Sequence, residues 1–199
     1  MPASRPESKT KFLDAAVSVI RAKGYTATRI EDVCESAALT KGSFFHHFES
    51  KEDLALAAAG HWGATAESLF SAAPYHALAD PRDRLLAYLD FRKALLAGEL
   101  PEYTCLAGTM VQEVYATQPA IRDACEKTIR DHAAQLEPDI AAAMDEYGIS
   151  AEWSAESLAL YTQAVIQGAF VLAKAKNGPQ VALDCLDHLR RYFEMLFTR

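Results

Sequence analysis

Two adjacent histidines, His46 and His47, stand in the segment LTKGSFFHHF (residues 39–48), which also holds Lys41 and Ser43. Imidazole can bind a metal ion or form hydrogen bonds, and lysine and serine can meet phosphates or the edges of DNA bases. Neighbouring residues of a helix point about 100° apart, so these histidines do not share a metal ion, and no third ligand is at hand. The segment therefore indicates a surface that recognises another molecule through hydrogen bonds. The sequence predicts no metal and no cofactor.

Four cysteines are the other reactive side chains: Cys34, Cys105, Cys125 and Cys185. They are widely spaced and form no CxxC pair, so we expect reduced thiols and no disulfide scaffold. Cys105 is the strongest candidate for a reactive thiol, because it follows Thr104 at the start of a predicted helix, where backbone N–H groups stabilise a thiolate. The alternative is a small buried hydrophobic residue, a common environment of free cysteine.

Helices must position these side chains. Apolar residues recur with helical period and no convincing run alternates, so the sequence predicts an all-α fold of about nine helices. The predicted starts follow from capping signals at these residues: Ser8, Thr28, Thr40, Ser50, Asp80, Thr104, Thr117 or Gln118, Ser154 and Pro179. The fifth helix is expected to end at Gly98 and the seventh to run on to about Gly148. Gly60 and Gly63, inside the fourth, indicate close packing or, as the alternative, a flexible joint.

The second and third predicted helices, joined by residues 37–39, form a helix-turn-helix candidate. A helix of about eight residues is not stable alone in water, so packing must hold it and leaves one face free. On a helical wheel Phe44 and Phe48 point together into a small core, whereas Gly42 and His46 lie on the opposite side. That outward face suits the DNA major groove, which is about 12 Å wide and admits one helix.

The distribution of charge agrees with a protein that touches a polyanion at one end. The 199 residues carry a net charge of −7, but residues 1–48 hold seven Lys or Arg and five Asp or Glu, a balance of +2. The N-terminus lacks an apolar signal core, and no apolar run approaches the roughly 20 residues that cross a bilayer. We therefore expect a cytoplasmic protein with no membrane partner.

Residues 10–55 resemble the DNA-binding head of the TetR family of bacterial transcriptional regulators. The resemblance is carried by GYTATRIEDVCESAALTKGSFFHHFESKEDL, with its Thr-Arg start, its Ile-x-x-Val helix, its Ser-Phe-Phe-His-His-Phe segment and its Lys-Glu-Asp-Leu end. It implies DNA contacts at ten residues: Thr28, Arg29, Thr40, Lys41, Gly42, Ser43, Phe45, His46, His47 and Lys51. Two residues depart from the pattern. Ala38 stands where the turn usually has Gly, and Phe45 replaces a Tyr whose hydroxyl often meets a phosphate.

The resemblance also implies a DNA-binding domain of residues 1–53 and a ligand-binding and dimerisation domain of residues 54–199. Aromatic and polar residues of the predicted fourth to eighth helices are the candidates for effector binding: Trp62, Phe91, Tyr103, Cys105, Met110, Tyr115, Tyr161, Gln163 and Gln167. The stretch TCLAGTMVQEV, followed by QPAIRDAC, resembles a subgroup that senses electrophiles or small unsaturated acids. In some members a cysteine matching Cys105 is the reactive thiol.

The last two predicted helices carry apolar residues at helical spacing, with a glycine that would allow another helix to come close. The set is Leu158, Tyr161, Val165, Gly168, Leu172, Leu186, Leu189, Phe193 and Leu196. Together with the resemblance, these stripes favour the seam of a homodimer, and the alternative is a core within one chain.

The sequence therefore predicts a homodimeric, ligand-responsive repressor that binds a palindromic DNA operator and is not an enzyme. Its expected partners are double-stranded operator DNA, a second copy of the chain and a small-molecule effector. The alternative is a helical small-molecule-binding protein or an enzyme without DNA binding. An enzyme would need a convergent acid-base or metal constellation, and none is visible in the sequence.

Overall fold

The structure is a computed structural model that describes residues 5–198, with side chains from residue 7 onwards. Every regular element in that range is helical, which confirms the predicted all-α class. The helices are α1 (Arg5–Lys23), α2 (Ile30–Ala37), α3 (Lys41–Phe45), α4 (Lys51–Ser71), α5 (Pro81–Ala94), α6 (Leu100–Tyr103), α7 (Leu106–Val114), α8 (Pro119–Ala134), α9 (Glu137–Glu146), α10 (Ala155–Lys176) and α11 (Gln180–Leu196), with a 3-10 turn at Pro74–Ala77.

The chain forms two compact units. The first unit holds the residues up to Thr65 together with Thr104–Thr128, and the second holds Ala66–Tyr103 together with the residues from Ile129 onwards. Helices α4 and α8 therefore each begin in the first unit and end in the second. The helix-turn-helix formed by α2 and α3 lies wholly in the first unit.

An aromatic anchor holds the short helix α3 in place. Phe12 of α1, Phe44 and Phe48 are all buried, and the ring of Phe12 lies edge-on to the other two at centroid distances of 5.6 and 6.2 Å. Burial of each phenylalanine stabilises the fold by about 1.5–3 kcal/mol. This packing, predicted from the helical wheel, compensates for the low intrinsic stability of five helical residues.

The turn between α2 and α3 accepts alanine where glycine is more usual. Ala38 has a left-handed backbone with φ of 53°. Its N–H donates to Glu35 O, and the N–H of Leu39 donates to Cys34 O, so the last carbonyls of α2 are satisfied. A left-handed conformation costs a residue with a Cβ roughly 1–2 kcal/mol. The two hydrogen bonds and the burial of neighbouring residues offset this cost.

Four predicted helix caps are confirmed. The side chains of Thr40, Asp80 and Ser154 accept the backbone N–H of the third, second and third residue after them, at 3.2, 2.8 and 3.1 Å. Ser50 likewise accepts from the backbone N–H of Asp53 at 3.0 Å, at the start of α4. These caps could be predicted because a capping residue acts within one helical turn of itself.

Three other predicted caps are wrong. Helix α1 begins at Arg5, so Ser8 lies inside it and forms a hydrogen bond with a distant side chain instead. The hydroxyl of Thr28 donates backwards to Gly24 O at 2.6 Å. Thr104 precedes the cap of α7, which is Cys105. For Ser8 and Thr28, a tertiary or backward hydrogen bond replaces the capping geometry, whereas Thr104 stands one residue too early for the helix start.

Two predicted helix lengths differ from the structure. The predicted seventh helix is divided into α8 and α9, because Pro138 lacks the N–H that a continuous helix needs at that position and its ring clashes with the preceding turn. Helix α5 ends at Ala94 and not at Gly98, whose φ of +87° belongs to the loop that precedes α6.

The two glycines inside α4 have different surroundings. A Cβ added at Gly63 would lie 3.4 Å from Thr128 Cγ2 of α8, an ordinary van der Waals distance, so Gly63 packs against α8 although an alanine would also fit there. A Cβ added at Gly60 would meet nothing within 4 Å. The interpretation as close packing therefore holds for Gly63 and not for Gly60.

Helix α10 is, by length and composition, apolar enough to cross a membrane, which differs from the expectation that no apolar run is long enough. One face of the helix is buried in the core of the second unit, through residues such as Leu158, Ile166, Ala169 and Ala173. Core helices of globular proteins meet the same criterion, so this single helix is weak support for a membrane span.

Candidate nucleic-acid interface and effector site

The outer face of the helix-turn-helix is exposed around the start of α3. Thr40, Lys41, Gly42, Phe45 and His46 are all solvent-exposed, and 52% of the surface of Phe45 is accessible. Ser43 is half-buried, and Arg29 is exposed just before α2. Seven of the ten residues predicted to contact DNA therefore share an accessible region of the first unit.

Lys41 forms a surface ion pair with Glu31 of α2. Its Nζ lies 2.6 Å from Glu31 Oε1, and both side chains are more than half exposed. The hydrogen bond with Lys41 holds the pKa of Glu31 below its usual value, and the same bond raises the pKa of Lys41. Exposed ion pairs are weak and are screened by salt, so a DNA phosphate can replace Glu31 as the partner of Lys41.

Lys51 has a different environment from the one predicted for it. Its Nζ donates to the backbone carbonyls of Tyr25, Thr26 and Thr28 at 3.1, 3.4 and 3.1 Å, and lies 4.3 Å from the centre of the Tyr25 ring. An ammonium group has three N–H donors, and all three are used here. We therefore assign Lys51 to positioning the loop before α2 and leave it out of the DNA surface.

Thr28 and His47 are likewise engaged inside the first unit. Thr28 is only 2% exposed. His47 Nε2 lies 2.7 Å from Ser8 Oγ, and its ring packs against Phe12 with centroids 6.1 Å apart. His47 joins α1 to the helix-turn-helix, and the hydroxyl of Thr28 closes the loop before α2 by donating to Gly24 O. We therefore assign both residues the same positioning role as Lys51.

Glu113 of α7 also binds the loop before α2, through the backbone N–H groups of that loop. Its two carboxylate oxygens accept the backbone N–H groups of Tyr25 and Thr26 at 3.1 and 2.8 Å, and Tyr25 Oη donates to Gln118 Oε1 at 3.1 Å. Carboxylate acceptors give charge-assisted bonds, which are stronger than neutral ones. The sequence did not reveal this contact, because 88 residues separate Glu113 from Tyr25 and no local pattern marks it.

Cys105 is half-buried and caps α7, with its Sγ accepting the N–H of Gly108 at 3.4 Å. Cys125 is fully buried in the same unit, where burial and then the neighbouring Cys105 raise its pKa to about 12. Only the thiolate reacts as a nucleophile, so Cys125 is held in its unreactive form. Cys105 is the more accessible of the two thiols.

The other effector candidates of the first unit are Trp62, Met110 and Tyr115. Trp62 stacks under the guanidinium of Arg21, 4.4 Å from the ring centre, and Arg21 Nε donates to Thr104 O at 2.6 Å. Met110 is completely buried, and Tyr115 is 62% exposed. The structure therefore divides these three between the core and the surface.

In the second unit, the buried Gln163 and Tyr88 form a polar group with the half-buried Arg92 and His132, which we call the Arg92 cluster. Tyr88 Oη accepts from Arg92 Nε at 2.9 Å and from Gln163 Nε2 at 3.3 Å, and lies 3.4 Å from His132 Nε2. A nitrogen of Arg92, Nη2, is also bonded to His132 Nε2. Of the predicted effector residues, only Gln163 belongs to this cluster, since the sequence pattern gave no reason to join α5, α8 and α10.

Aromatic rings surround the Arg92 cluster. The guanidinium of Arg92 lies 4.3 Å from the ring centre of Phe70, which in turn packs edge-on against Phe91 at 5.4 Å. Phe70 also lies 4.6 Å from the ring of His132, and Tyr75 lies 5.8 Å from the ring of Tyr88. Phe91 is thus the second predicted effector residue that the structure brings to this region.

The remaining effector candidates of the second unit are Tyr103, Tyr161 and Gln167. Tyr103 is buried, its ring lies 6.5 Å from that of Phe170, and burial raises its pKa. Its hydroxyl is a buried oxygen without a hydrogen-bond partner among the residues with described side chains. Tyr161 is exposed and packs against Tyr192 at 5.4 Å, whereas Gln167 is half-buried.

The nine residues predicted for the dimer seam fall into two groups. Four are buried within the chain, as the alternative of an intrachain core would require: Leu158, Leu186, Leu189 and Phe193. The other five are exposed or half-buried: Tyr161, Val165, Gly168, Leu172 and Leu196. Tyr192 and Met195 of α11, which the sequence pattern did not single out, are also exposed, by 38% and 73%.

Residues 7–198 contain no group of three or more His, Cys, Asp or Glu side chains placed to hold a metal ion. In particular, His46 and His47 lie with ring centroids 5.3 Å apart and have different surroundings.

Two family descriptions match this chain. "Bacterial regulatory proteins, tetR family" matches residues 12–58, which include α2, α3 and the exposed face of α3. "Tetracyclin repressor-like, C-terminal domain" matches residues 81–191, from the start of α5 into α11. Together the two matches cover most of the 199 residues.

Individual proteins agree with these matches. An HTH-type transcriptional regulator of Lactococcus lactis subsp. lactis is 26% identical over 188 residues, which are 94% of this chain and 93% of the relative. A TetR-family regulator from Agrobacterium tumefaciens superposes with a TM-score of 0.84 at 18% identity, over 98% of this chain and 100% of that one. The TetR-family regulator CifR, solved with 26-bp double-strand operator DNA, gives a TM-score of 0.75 at 19% identity over 92% of this chain and 95% of its own.

Proposed function

Because the chain belongs to the tetR family of bacterial regulatory proteins and is a DNA-binding transcriptional regulator, we propose that it acts as a homodimeric repressor. In this proposal two copies bind the two halves of a palindromic operator, and a small-molecule effector releases them. Residues 1–53 serve DNA binding, and residues 54–199 serve effector binding and dimerisation. We expect the protein to act in the cytoplasm and not as an enzyme.

The exposed face of α3 is the observation that supports operator binding most directly. We propose a DNA surface of seven residues: Arg29, Thr40, Lys41, Gly42, Ser43, Phe45 and His46. Lys41 and His46 offer donors to phosphates and base edges, and Gly42 lets the backbone come close to the groove. Phe45 has no hydroxyl, so it offers only an apolar contact, such as one to a thymine methyl group.

A gel-shift assay on the DNA upstream of the protein's own gene tests operator binding. We expect binding to weaken steeply as the salt concentration rises, because phosphate contacts release counterions. The double variant Lys41→Ala/His46→Ala should lose site-specific binding while its mass in solution is unchanged. An operator affinity that changes neither with the salt concentration nor in the double variant would contradict the proposal.

Self-association is supported by an apolar surface stripe on α10 and α11. Tyr161, Val165, Gly168 and Leu172 recur at three-four spacing on α10, and all are exposed or half-buried. The ring of Tyr192 on α11 lies beside Tyr161 and extends the stripe. Monomeric soluble proteins seldom expose a large contiguous apolar patch, so this surface favours a second copy as its partner.

A covalent effector at Cys105 is a second candidate for the releasing signal, in keeping with the electrophile-sensing subgroup. Cys105 and Cys185 are half-buried whereas Cys34 and Cys125 are buried, and of the two accessible thiols only Cys105 caps a helix, α7. Mass spectrometry after brief exposure to N-ethylmaleimide should show one adduct at Cys105 in advance of the other thiols. The variant Cys105→Ser should lose any response of operator binding to the reagent, and a retained response would rule the thiol out as sensor.

A further inference from the structure

We infer that the Arg92 cluster binds the carboxylate of an aromatic or aliphatic carboxylic acid, and that such an acid is the effector of this regulator. The second half of the inference rests on the proposed ligand-responsive function, whereas the first half concerns binding alone. The cluster lies within the second unit and draws on α5, α8 and α10.

The charge of Arg92 has no counter-ion in the described part of the chain. Its hydrogen bonds go to the neutral groups of Tyr88 and His132, and it forms no ion pair with an Asp or Glu among residues 7–198. The nearby Asp139 is already paired with Arg84, at 2.6 Å from its Nε. A half-buried cation without an acidic partner is costly, and an anionic ligand would supply that partner.

The donor geometry of Arg92 suits a carboxylate. A guanidinium carries five N–H groups in one plane, and only the Nε–H and one Nη2–H are used within the cluster. The remaining N–H groups can meet both oxygens of a carboxylate in a forked pair, which is stronger and more directional than a lysine contact. Stacking on Phe70 fixes the plane of the guanidinium.

His132 is neutral, and its Nδ1 lacks a hydrogen-bond partner among the described residues. Burial, and then the charge of Arg92, lower the pKa of His132 to about 3, so Arg92 alone gives the cluster its charge at neutral pH. Because Arg92 Nη2 can only donate, its hydrogen bond assigns the accepting lone pair of His132 to Nε2 and the proton to Nδ1. His132 Nδ1 is buried and has no partner among the described residues, although buried donors in folded proteins nearly always have one. This orphan donor marks the cluster as incomplete without a further acceptor.

The surroundings define the rest of the ligand. Phe70, Tyr75 and Phe91 form a linked set of rings, with Phe91 5.4 Å from Phe70 and 6.0 Å from Tyr75. An aromatic ring or an alkyl chain is the group that such surroundings favour, since its transfer from water is favourable. Phe70 and Tyr75 are already buried in the chain, and the half-buried Phe91 is the ring of this set with surface left for an apolar group to cover. A free inorganic anion would pair with Arg92 but would not cover Phe91.

Binding can be measured on the full-length protein by thermal shift and titration calorimetry. The probes are sodium benzoate, phenylacetate and octanoate, each matched with its uncharged amide, and sodium sulfate at equal ionic strength. We expect at least one carboxylate to raise the melting temperature and to bind at least tenfold more tightly than its amide. Equal binding of acid and amide, or equal binding of sulfate, would overturn the inference.

Variants locate the bound carboxylate. Arg92→Gln should weaken its binding about 10- to 100-fold, as expected for losing charge-assisted hydrogen bonds. Arg92→Lys should give an intermediate affinity, because the charge remains and the fork is lost. Arg130→Gln removes an exposed arginine of α8 and should leave the affinity unchanged. Folding is checked by the melting temperature without ligand, and undiminished binding by a folded Arg92→Gln protein would place the ligand elsewhere.

Operator binding in the same samples separates the two halves of the inference. If a carboxylate binds through Arg92 but leaves operator affinity unchanged, the Arg92 cluster is a carboxylate-binding site, and the carboxylic acid is not the effector. If operator DNA is released only by uncharged compounds, and equally well with Arg92→Gln, ligand responsiveness stands and the Arg92 cluster is not its site.

Discussion

The carboxylate of Glu113 accepts the backbone N–H of Tyr25 at 3.1 Å and that of Thr26 at 2.8 Å, so α7 is tied directly to the loop that leads into α2. Lys51 binds carbonyls of the same loop from the start of α4. One short loop is thus fixed by a cation on its carbonyls and by an anion on its N–H groups. All of these residues lie in the first unit.

Replacing Glu113 with alanine should loosen this loop, because two N–H groups lose a charged acceptor. We expect Glu113→Ala to lower the melting temperature and to weaken operator binding by about tenfold, the effect of roughly 1.4 kcal/mol. Glu67→Ala, which removes an exposed carboxylate of α4, is the control and should change neither quantity. If both variants bind the operator equally well, the tie does not position the DNA-binding helices.

The variant Gly42→Ala tests whether Gly42 is required for operator binding, because the substitution should not reduce the stability of the fold. A Cβ at Gly42 would meet only Thr40 Oγ1, at 3.9 Å, and alanine favours the helix by up to about 1 kcal/mol. We therefore expect equal or higher stability together with weaker operator binding. Gly60→Ala is the matched control, since its Cβ meets nothing within 4 Å, and it should leave DNA binding intact. Undiminished operator affinity in Gly42→Ala would remove this residue from the groove.

Lys41 and Lys51 should respond differently to alanine substitution. Lys41→Ala is expected to reduce the slope of log affinity against log salt by about 1, because one phosphate contact is lost, and to leave stability nearly unchanged. Lys51→Ala is expected to lower stability by roughly 1–2 kcal/mol, because three carbonyls lose their donor, with little change in the slope. Denaturant unfolding and salt-dependent gel shifts measure the two quantities, and the reverse pattern would contradict our assignment.

Leu172→Glu should disrupt the proposed dimer, because it places a charge in the apolar stripe of α10, where 45% of the leucine is accessible in one chain. The sedimentation velocity of the variant should then report a monomer. Leu69→Glu is the control, because Leu69 is equally exposed on α4. A Leu172→Glu protein that remains dimeric would move the interface away from this stripe.

The low pKa of His132 predicts an acid-sensitive second unit. The pKa is about 3 in the folded protein and about 6.5 in an unfolded chain, so the unfolded state binds more protons between these values. Stability from this residue is therefore present above about pH 6.5 and falls as the pH drops towards 3. His132→Gln should show a smaller loss of melting temperature from pH 7 to pH 5 than the original protein or the exposed-site variant His188→Gln. A loss equal to that of His188→Gln would contradict the buried neutral state.

Features that act within one helical turn could be predicted from the sequence. Thr40, Asp80 and Ser154 cap their helices as expected, and Phe44 and Phe48 pack together as the helical period indicated. The break at Pro138 had an equally local signal. The family resemblance of the head likewise depends on residues that are close together in the sequence.

The tertiary structure decided which polar groups are free and which apolar groups are covered. Lys51 is a surface lysine by sequence, but its three donors meet the loop before α2. Leu186 belongs to the apolar pattern predicted for the dimer seam, yet it lies in the core of its own chain. Arg92 and His132, 40 residues apart, meet only because α5 and α8 pack together. Periodicity fixes the face of a helix on which a residue lies, but burial and hydrogen-bond partners depend on which distant helix covers that face.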